Sequence, residues 1–145
     1  MMMYFYSINR IVMLKKIILL LLIVLLNSCA KEENISNEQM TQPEVLSSGV
    51  FEPTSGINVM GGVTIYKNGT QRNVTLTNFS ISEGPDLKVY LSTTNTPDTF
   101  ISLGDLTTAT TYTIPQEADL NVYTYVLIHC ETYNHLYAIA SLTAN

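Results

Sequence analysis

Residues 62–77 read GVTIYKNGTQRNVTLT, and this stretch decides the fold class. Val63 and Ile65 alternate with Thr64 and Tyr66; after Lys67-Asn68-Gly69-Thr70, Val74 and Leu76 alternate with Thr75 and Thr77. A period of two puts every second side chain on one face, the pattern of a half-buried antiparallel strand. Asn68-Gly69 between two such runs predicts a hairpin with a type I′ turn, whose two central residues both need positive φ. Past the hairpin the apolar phase slips, because Leu76 is followed by Phe79 and Ile81 rather than by 78 and 80. A bulge or bend near Asn78 is expected to absorb the slip.

The same pattern continues outward. Glu83-Gly84-Pro85-Asp86 is a turn, with Pro pre-setting φ and Asp able to bond nearby amides. It leads into Leu87, Val89 and Leu91 alternating with Lys88, Tyr90 and Ser92. Further short runs follow at Phe100–Leu103, Thr111–Ile114, Tyr123–Cys130 and Leu136–Leu142. Thr-rich, β-branched segments suit strands, and no stretch reads as a helix. The expected fold over 49–145 is therefore all-β, a small antiparallel β-sandwich of seven to eight short strands.

The chain has 145 residues, two Cys and no Trp, with a hydrophobic fraction of 46% against 13% charged. Part of that apolar content is concentrated in Ile17–Leu26, which reads IILLLLIVLL behind Lys15 and Lys16. The run is too short for a bilayer span, which needs about 20 residues, and it has the build of a secretory signal over 1–28. A start at Met13 would give a more compact leader. The run ends in Leu26-Asn27-Ser28-Cys29, which resembles the bacterial lipobox. The resemblance implies that Cys29 receives a diacylglycerol, becomes the first residue of the mature chain and is acylated further, palmitate being a typical chain. Ala30-Lys31-Glu32-Glu33 is similar to the export signal of Bacteroidetes surface lipoproteins. It implies a lipid-anchored protein of the outer membrane, displayed on the cell surface.

Removal of residues 1–28 leaves 117, enough for one domain. The mature chain keeps four Lys+Arg and all twelve Asp+Glu, a formal charge of −8. Nucleic-acid binding is excluded as a function class, since it needs clustered cations to displace phosphate counterions. Residues 29–48 are polar and aperiodic, and are expected to be a flexible tether. The membrane partner is reached through lipid rather than through a basic patch.

Gly62-Val63-Thr64-Ile65, Leu76-Thr77-Asn78-Phe79 and above all Gly84-Pro85-Asp86-Leu87-Lys88-Val89-Tyr90-Leu91-Ser92 resemble the DM13 domain. Leu103-Gly104-Asp105-Leu106, Tyr112-Thr113-Ile114-Pro115, Val126-Leu127-Ile128-His129-Cys130 and a closing Ala138 and Ala140 extend the likeness over nearly the whole of 49–142. The resemblance implies an extracytoplasmic β-domain with a characteristic cysteine, matched by Cys130. It also implies a redox or electron-transfer role for that residue, through a bare thiol or a bound prosthetic group such as haem or a metal. His129 stands where the family commonly carries Trp.

With Cys29 lipidated, Cys130 is the lone thiol and no intrachain disulfide can form. Two readings of it remain open. It is a redox centre or ligand, or it is a small buried hydrophobe sharing one strand face with Val126 and Ile128. A reactive thiol wants a nearby cation, and its neighbour is Glu131. His129, adjacent on the strand, is expected to point to the other face; His135 would join Cys130 only if the intervening turn folds back. Two ligands fall short of the four of a structural zinc, so no metal site and no cofactor is expected. There is no nucleophile elbow, phosphate loop, His-Glu-x-x-His or acidic calcium loop, and hence no catalytic residue to nominate. Tyr66, Tyr90, Tyr112, Tyr123, Tyr125, Tyr133 and Tyr137 fall partly on outward phases. They support an alternative function, a surface binding or adhesion module contacting glycan or protein.

Overall fold

The computed structural model describes residues 42–145. The segments expected from sequence to be a signal peptide, a lipobox with Cys29 and a tether, as far as residue 41, lie outside the described residues. Residues 42–145 lie within one compact unit.

Nine antiparallel strands make up the described unit, and it contains no helix. They are β1 (Glu44–Pro53), β2 (Val59–Asn68), β3 (Gln71–Ile81), β4 (Leu87–Ser92), β5 (Phe100–Asp105), β6 (Thr111–Ile114), β7 (Tyr125–Cys130), β8 (His135–Ser141) and β9 (Thr143–Ala144). Their order across the sheet is β5-β4-β7-β8-β1-β2-β3-β6, with β9 paired to β1. The two layers of the expected sandwich share a strand. The first half of β1 pairs with β2 through Val50, and its second half pairs with β8 from Phe51 to Pro53. The result is one nearly closed, barrel-like sheet with a first layer β9-β1-β2-β3-β6 and a second layer β5-β4-β7-β8. Because β1 begins at Glu44, residues 44–48, read from sequence as the end of the tether, are laddered to β2 from Glu44↔Lys67 onward.

The β2–β3 hairpin forms with a different turn from the one expected. Asn68 pairs with Gln71, so the central residues are Gly69 and Thr70. Gly69 has φ +59, whereas Asn68 and Thr70 have no positive φ. That is the φ pattern of type II′, with glycine at the first central position. The phase slip after Leu76 is real: Met60 pairs with Ser80 but Gly62 with Thr77, and Asn78 sits at φ +49 inside the bulge.

Alternation fills the interior. Val63, Ile65, Val74, Leu76, Tyr112 and Ile114 from the first layer meet Leu87, Val89, Leu91, Val126, Ile128, Cys130, Ala138 and Ala140 from the second. Each fully buried Val, Leu or Ile contributes roughly 1.5–3 kcal/mol. Strands β4 and β7 are buried on both faces, since Tyr90, Ser92, Leu127 and His129 are also shielded from solvent. Both are central strands of the second layer, and the residues quoted for the family resemblance are concentrated on them.

Candidate functional site

Cys130 ends β7 and is wholly buried. Its cross-strand partners are Leu87 on β4 and His135 on β8. The ladder runs one step past it, where the Glu131 N–H donates to the Asp86 carbonyl at 3.0 Å. Leu87 and Tyr137 belong to the same buried cluster as the thiol. A bulge on β8 makes room for Tyr137, because Ile128 pairs with Ala138 while His129 pairs with Leu136. Thr54, just after β1, pins that bulge: its N–H donates to the Tyr137 carbonyl at 3.0 Å and its hydroxyl to the carbonyls of Leu136 and Tyr137. Gly84 closes over the same end, so tightly that a Cβ there would lie 2.7 Å from Leu87 Cδ2 and 2.9 Å from the Tyr137 hydroxyl.

The turn after β7 does fold back. Cys130 and His135 therefore become the closing pair of the β7–β8 hairpin, on one face of the sheet, with the histidine exposed. His129 takes the opposite face. It is 5% exposed, stacks on Tyr90 with ring centroids 5.5 Å apart, and its Nδ1 has no hydrogen-bond partner. Burial pushes the His129 imidazole below its ordinary pKa, against the upward pull of Glu131.

That outer face also pairs Tyr90, nominated from sequence as a contact tyrosine, with groups that sequence reasoning did not bring to it. The Tyr90 hydroxyl donates to Glu131 Oε1 at 2.5 Å, and the Tyr90 ring stacks on Phe100 at 4.0 Å. Burial first, and the Glu131 hydrogen bond second, raise the phenol well above the usual tyrosine range. Lys88 is gripped by Asp105 at 2.5 Å and Asp86 at 2.7 Å, and both hydrogen bonds raise its pKa, Asp105 the more. The signal for these residues was present in the alternation, since Lys88 and Tyr90 share the outward phase of β4 and His129 and Glu131 that of β7. Their pairing across strands was not, because it depends on the register Lys88↔His129. Beside them, a cleft of about 620 Å³ runs between the end of β3, the Glu83–Leu87 turn and the segment 105–107. Leu87 is in its wall and the thiol is behind Leu87.

The chain matches the family described as "Electron transfer DM13" over residues 51–142. The chain belongs to the DM13 family. The match runs from the second half of β1 to the end of β8 and so takes in β4, the Cys130 strand paired to it and the cleft beside the Glu83–Leu87 turn. No curated protein and no solved structure matches the chain.

The residues around the DM13 cysteine do not suit a haem iron or a metal ion. Cys130 is wholly buried in the apolar cluster that also holds its cross-strand partner Leu87 and its strand neighbour Ile128, with His135 the one ligating side chain paired to it. The unpartnered His129 Nδ1 lies on the other side of the sheet and cannot share an iron with the thiol. Among the described residues no three His, Cys, Asp or Glu side chains converge on one point, fewer donors than a metal-ion site uses; a haem iron needs only one or two protein ligands, and against it stands the burial of the thiol in apolar packing. Of the seven tyrosines nominated from sequence, Tyr90, Tyr112 and Tyr137 are buried, Tyr66, Tyr123 and Tyr125 are half-buried and Tyr133 is exposed.

Proposed function

We propose that this protein is a lipoprotein held to the outer membrane by acylated Cys29, and that its DM13 domain serves electron transfer outside the cytoplasm with Cys130 as the redox-bearing residue. Membership of an electron-transfer family carries the reading, and the lipobox leader supports the anchor. Cys130 works from inside the fold. Thiol–disulfide exchange requires attack by an exposed thiolate, and a fully buried thiol does not meet that requirement while the end of β7 stays closed. No step is assigned to a prosthetic group, for one could reach Cys130 only if the apolar packing around the thiol opened.

Protein-film voltammetry on the acylated protein purified from its own envelope tests the redox role. A reversible signal that disappears in Cys130→Ser supports it; identical traces from the two proteins overturn it. Cys29→Ala is expected to abolish incorporation of labelled palmitate and release the protein from the envelope, and unchanged labelling would remove the anchor. The alternative, a surface module contacting glycan or protein, draws its support from the first layer of the sheet, on the opposite side of the domain's interior from Cys130's strand.

A further inference from the structure

The outer face of the first layer bears an unbroken row of hydroxyls. In register across five strands stand Thr143, Ser48, Thr64, Thr75 and Thr111. Neighbouring strands lie about 4.8 Å apart, so the row extends roughly 19 Å. One pleat further along, Tyr66, Asn73 and Thr113 form a parallel row. Between the rows lies a cleft of about 230 Å³ lined by Pro43, Tyr66, Asn68, Asn73, Thr75 and Thr111. The hydroxyls of Thr75 and Thr111 are 3.3 Å apart, and Thr113 Oγ1 donates to Asn73 Oδ1 at 3.3 Å. Each of these groups therefore keeps unused donor or acceptor capacity toward solvent.

The face is uncharged in a strongly acidic protein. Lys67 and Arg72, the cations of β2 and β3, occupy the other phase of their strands: Lys67 pairs with Arg72 in the ladder and approaches Glu44 at 4.0 Å. The Arg72 guanidinium is spent on the carbonyls of Pro115, Gln116 and Ala118. A nucleic acid or an acidic glycan would find no cation here and a net charge of −8 around it. A basic peptide would find no carboxylate among these positions. A tight protein interface wants large apolar anchors at its centre; the two polar rows are threonine, serine, asparagine and one tyrosine, and the exposed apolar side chain beside them, Val50, lies one pleat beyond the hydroxyl row, on the side away from Tyr66. Amides and hydroxyls that both donate and accept, arranged in a line beside one aromatic ring, match a ligand with the same properties: a row of hydroxyls and flat apolar ring faces.

We infer that this face is a binding site for a neutral, unsubstituted polysaccharide chain lying across the strands, with Tyr66 as the platform for a sugar ring and Thr64, Thr75, Asn73 and Thr111 bonding its hydroxyls. The site makes no use of Cys130 and stands apart from the electron-transfer reading. A surface lipoprotein with such a face would hold its domain against extracellular or cell-wall glycan.

Affinity electrophoresis of the full-length protein in detergent decides the matter, with native gels containing dextran, yeast mannan, laminarin, xylan or hydroxyethylcellulose, and alginate as the acidic comparison. Retardation in at least one neutral gel and none in alginate is expected. Tyr66→Ala should abolish it. Thr75→Val, which keeps the β-branched shape and removes one hydroxyl, should weaken it by about fivefold while leaving the fold intact. Tyr133→Ala, at an exposed turn position elsewhere, should not change it. Free mobility in all five neutral gels overturns the inference. So does retardation by alginate alone, retardation that survives both Tyr66→Ala and Thr75→Val, or a face found instead to be covered by a second copy of the chain on crosslinking.

Discussion

Alanine at position 84 is expected to uncover Cys130. A Cβ built on Gly84 would stand 2.7 Å from Leu87 Cδ2, 3.1 Å from Leu87 Cγ and 2.9 Å from the Tyr137 hydroxyl. Leu87 is the cross-strand partner of Cys130, and both Leu87 and Tyr137 are packed in the cluster around the thiol. All three atoms belong to side chains packed in the core, and Leu87 can move only toward the cleft it borders, so the added methyl overpacks the site at a cost of about 1–3 kcal/mol. If that cost falls on the closed end of β4 and β7, the open population rises roughly fivefold to 150-fold, because about 1.4 kcal/mol is a factor of ten. The assay is maleimide labelling of folded protein in a Cys29→Ala background, where Cys130 is the sole thiol. Wild-type Cys130 should label far more slowly than in denaturant, in proportion to its opening equilibrium. Gly84→Ala should accelerate labelling by the factor above, beyond whatever its global stability measured in urea accounts for. Labelling of native wild-type protein at the denatured rate, or a folded Gly84→Ala domain that labels no faster than wild type, refutes the sealing argument.

Other perturbations follow from the same geometry. Tyr90→Phe removes a hydrogen bond to a charged acceptor; Glu131 is exposed and rehydrates, so the cost is about 1 kcal/mol, a Tm lower by about 4–8 °C. The raised Tyr90 pKa means that the folded state holds its proton after the unfolded state has lost it. Wild-type stability should therefore fall as pH rises past about 10, and Tyr90→Phe should fall less; parallel curves would show that the phenol does not sense folding. His129 has the opposite sign, because its folded pKa is depressed. The unfolded chain binds the proton first as pH drops below about 6.5, so stability declines from there until the folded value is passed. His129→Phe keeps the stack on Tyr90 and should flatten that decline in urea titrations at pH 7 and pH 5, an unchanged slope counting against it. Gly61→Ala should cost more than about 4 kcal/mol or prevent folding. Its φ is +106, and a Cβ would meet Thr77 O, Asn78 O and Phe79 Cα at 2.6–2.7 Å, all backbone. A urea midpoint close to wild type would mean the bulge is not built this way.

The strands were legible because alternation in β2, β3, β4 and β7 is a one-dimensional signal of burial. Thr111–Ile114 was read to the residue. The bulge at Asn78 was legible for the same reason, since a lost phase has to be recovered by an extra residue. The hairpin turn was misassigned because Asn68-Gly69 satisfies the type I′ rule locally, whereas the ladder between Asn68 and Gln71 decides which pair of residues turns. The start of β1 was missed because Glu44–Ser48 is polar and pairs through its backbone to β2, which leaves no apolar period to read. Both open readings of Cys130 also needed the third dimension. Val126 and Ile128 indicated a shared face, but only packing against Leu87, Tyr137 and Gly84 made the thiol inaccessible.

By itself the sequence determined the strand content, the hairpin, the family likeness and the acidic, cation-poor surface, because these depend on residue type and on spacing along the chain. The tertiary structure alone decided which residues meet. Register set Lys88 beside His129, Cys130 beside His135, and five hydroxyls in one row on the far side of the domain. Register between strands distant in sequence comes from the summed fit of two faces and the placement of bulges, and no local segment of the chain contains that sum.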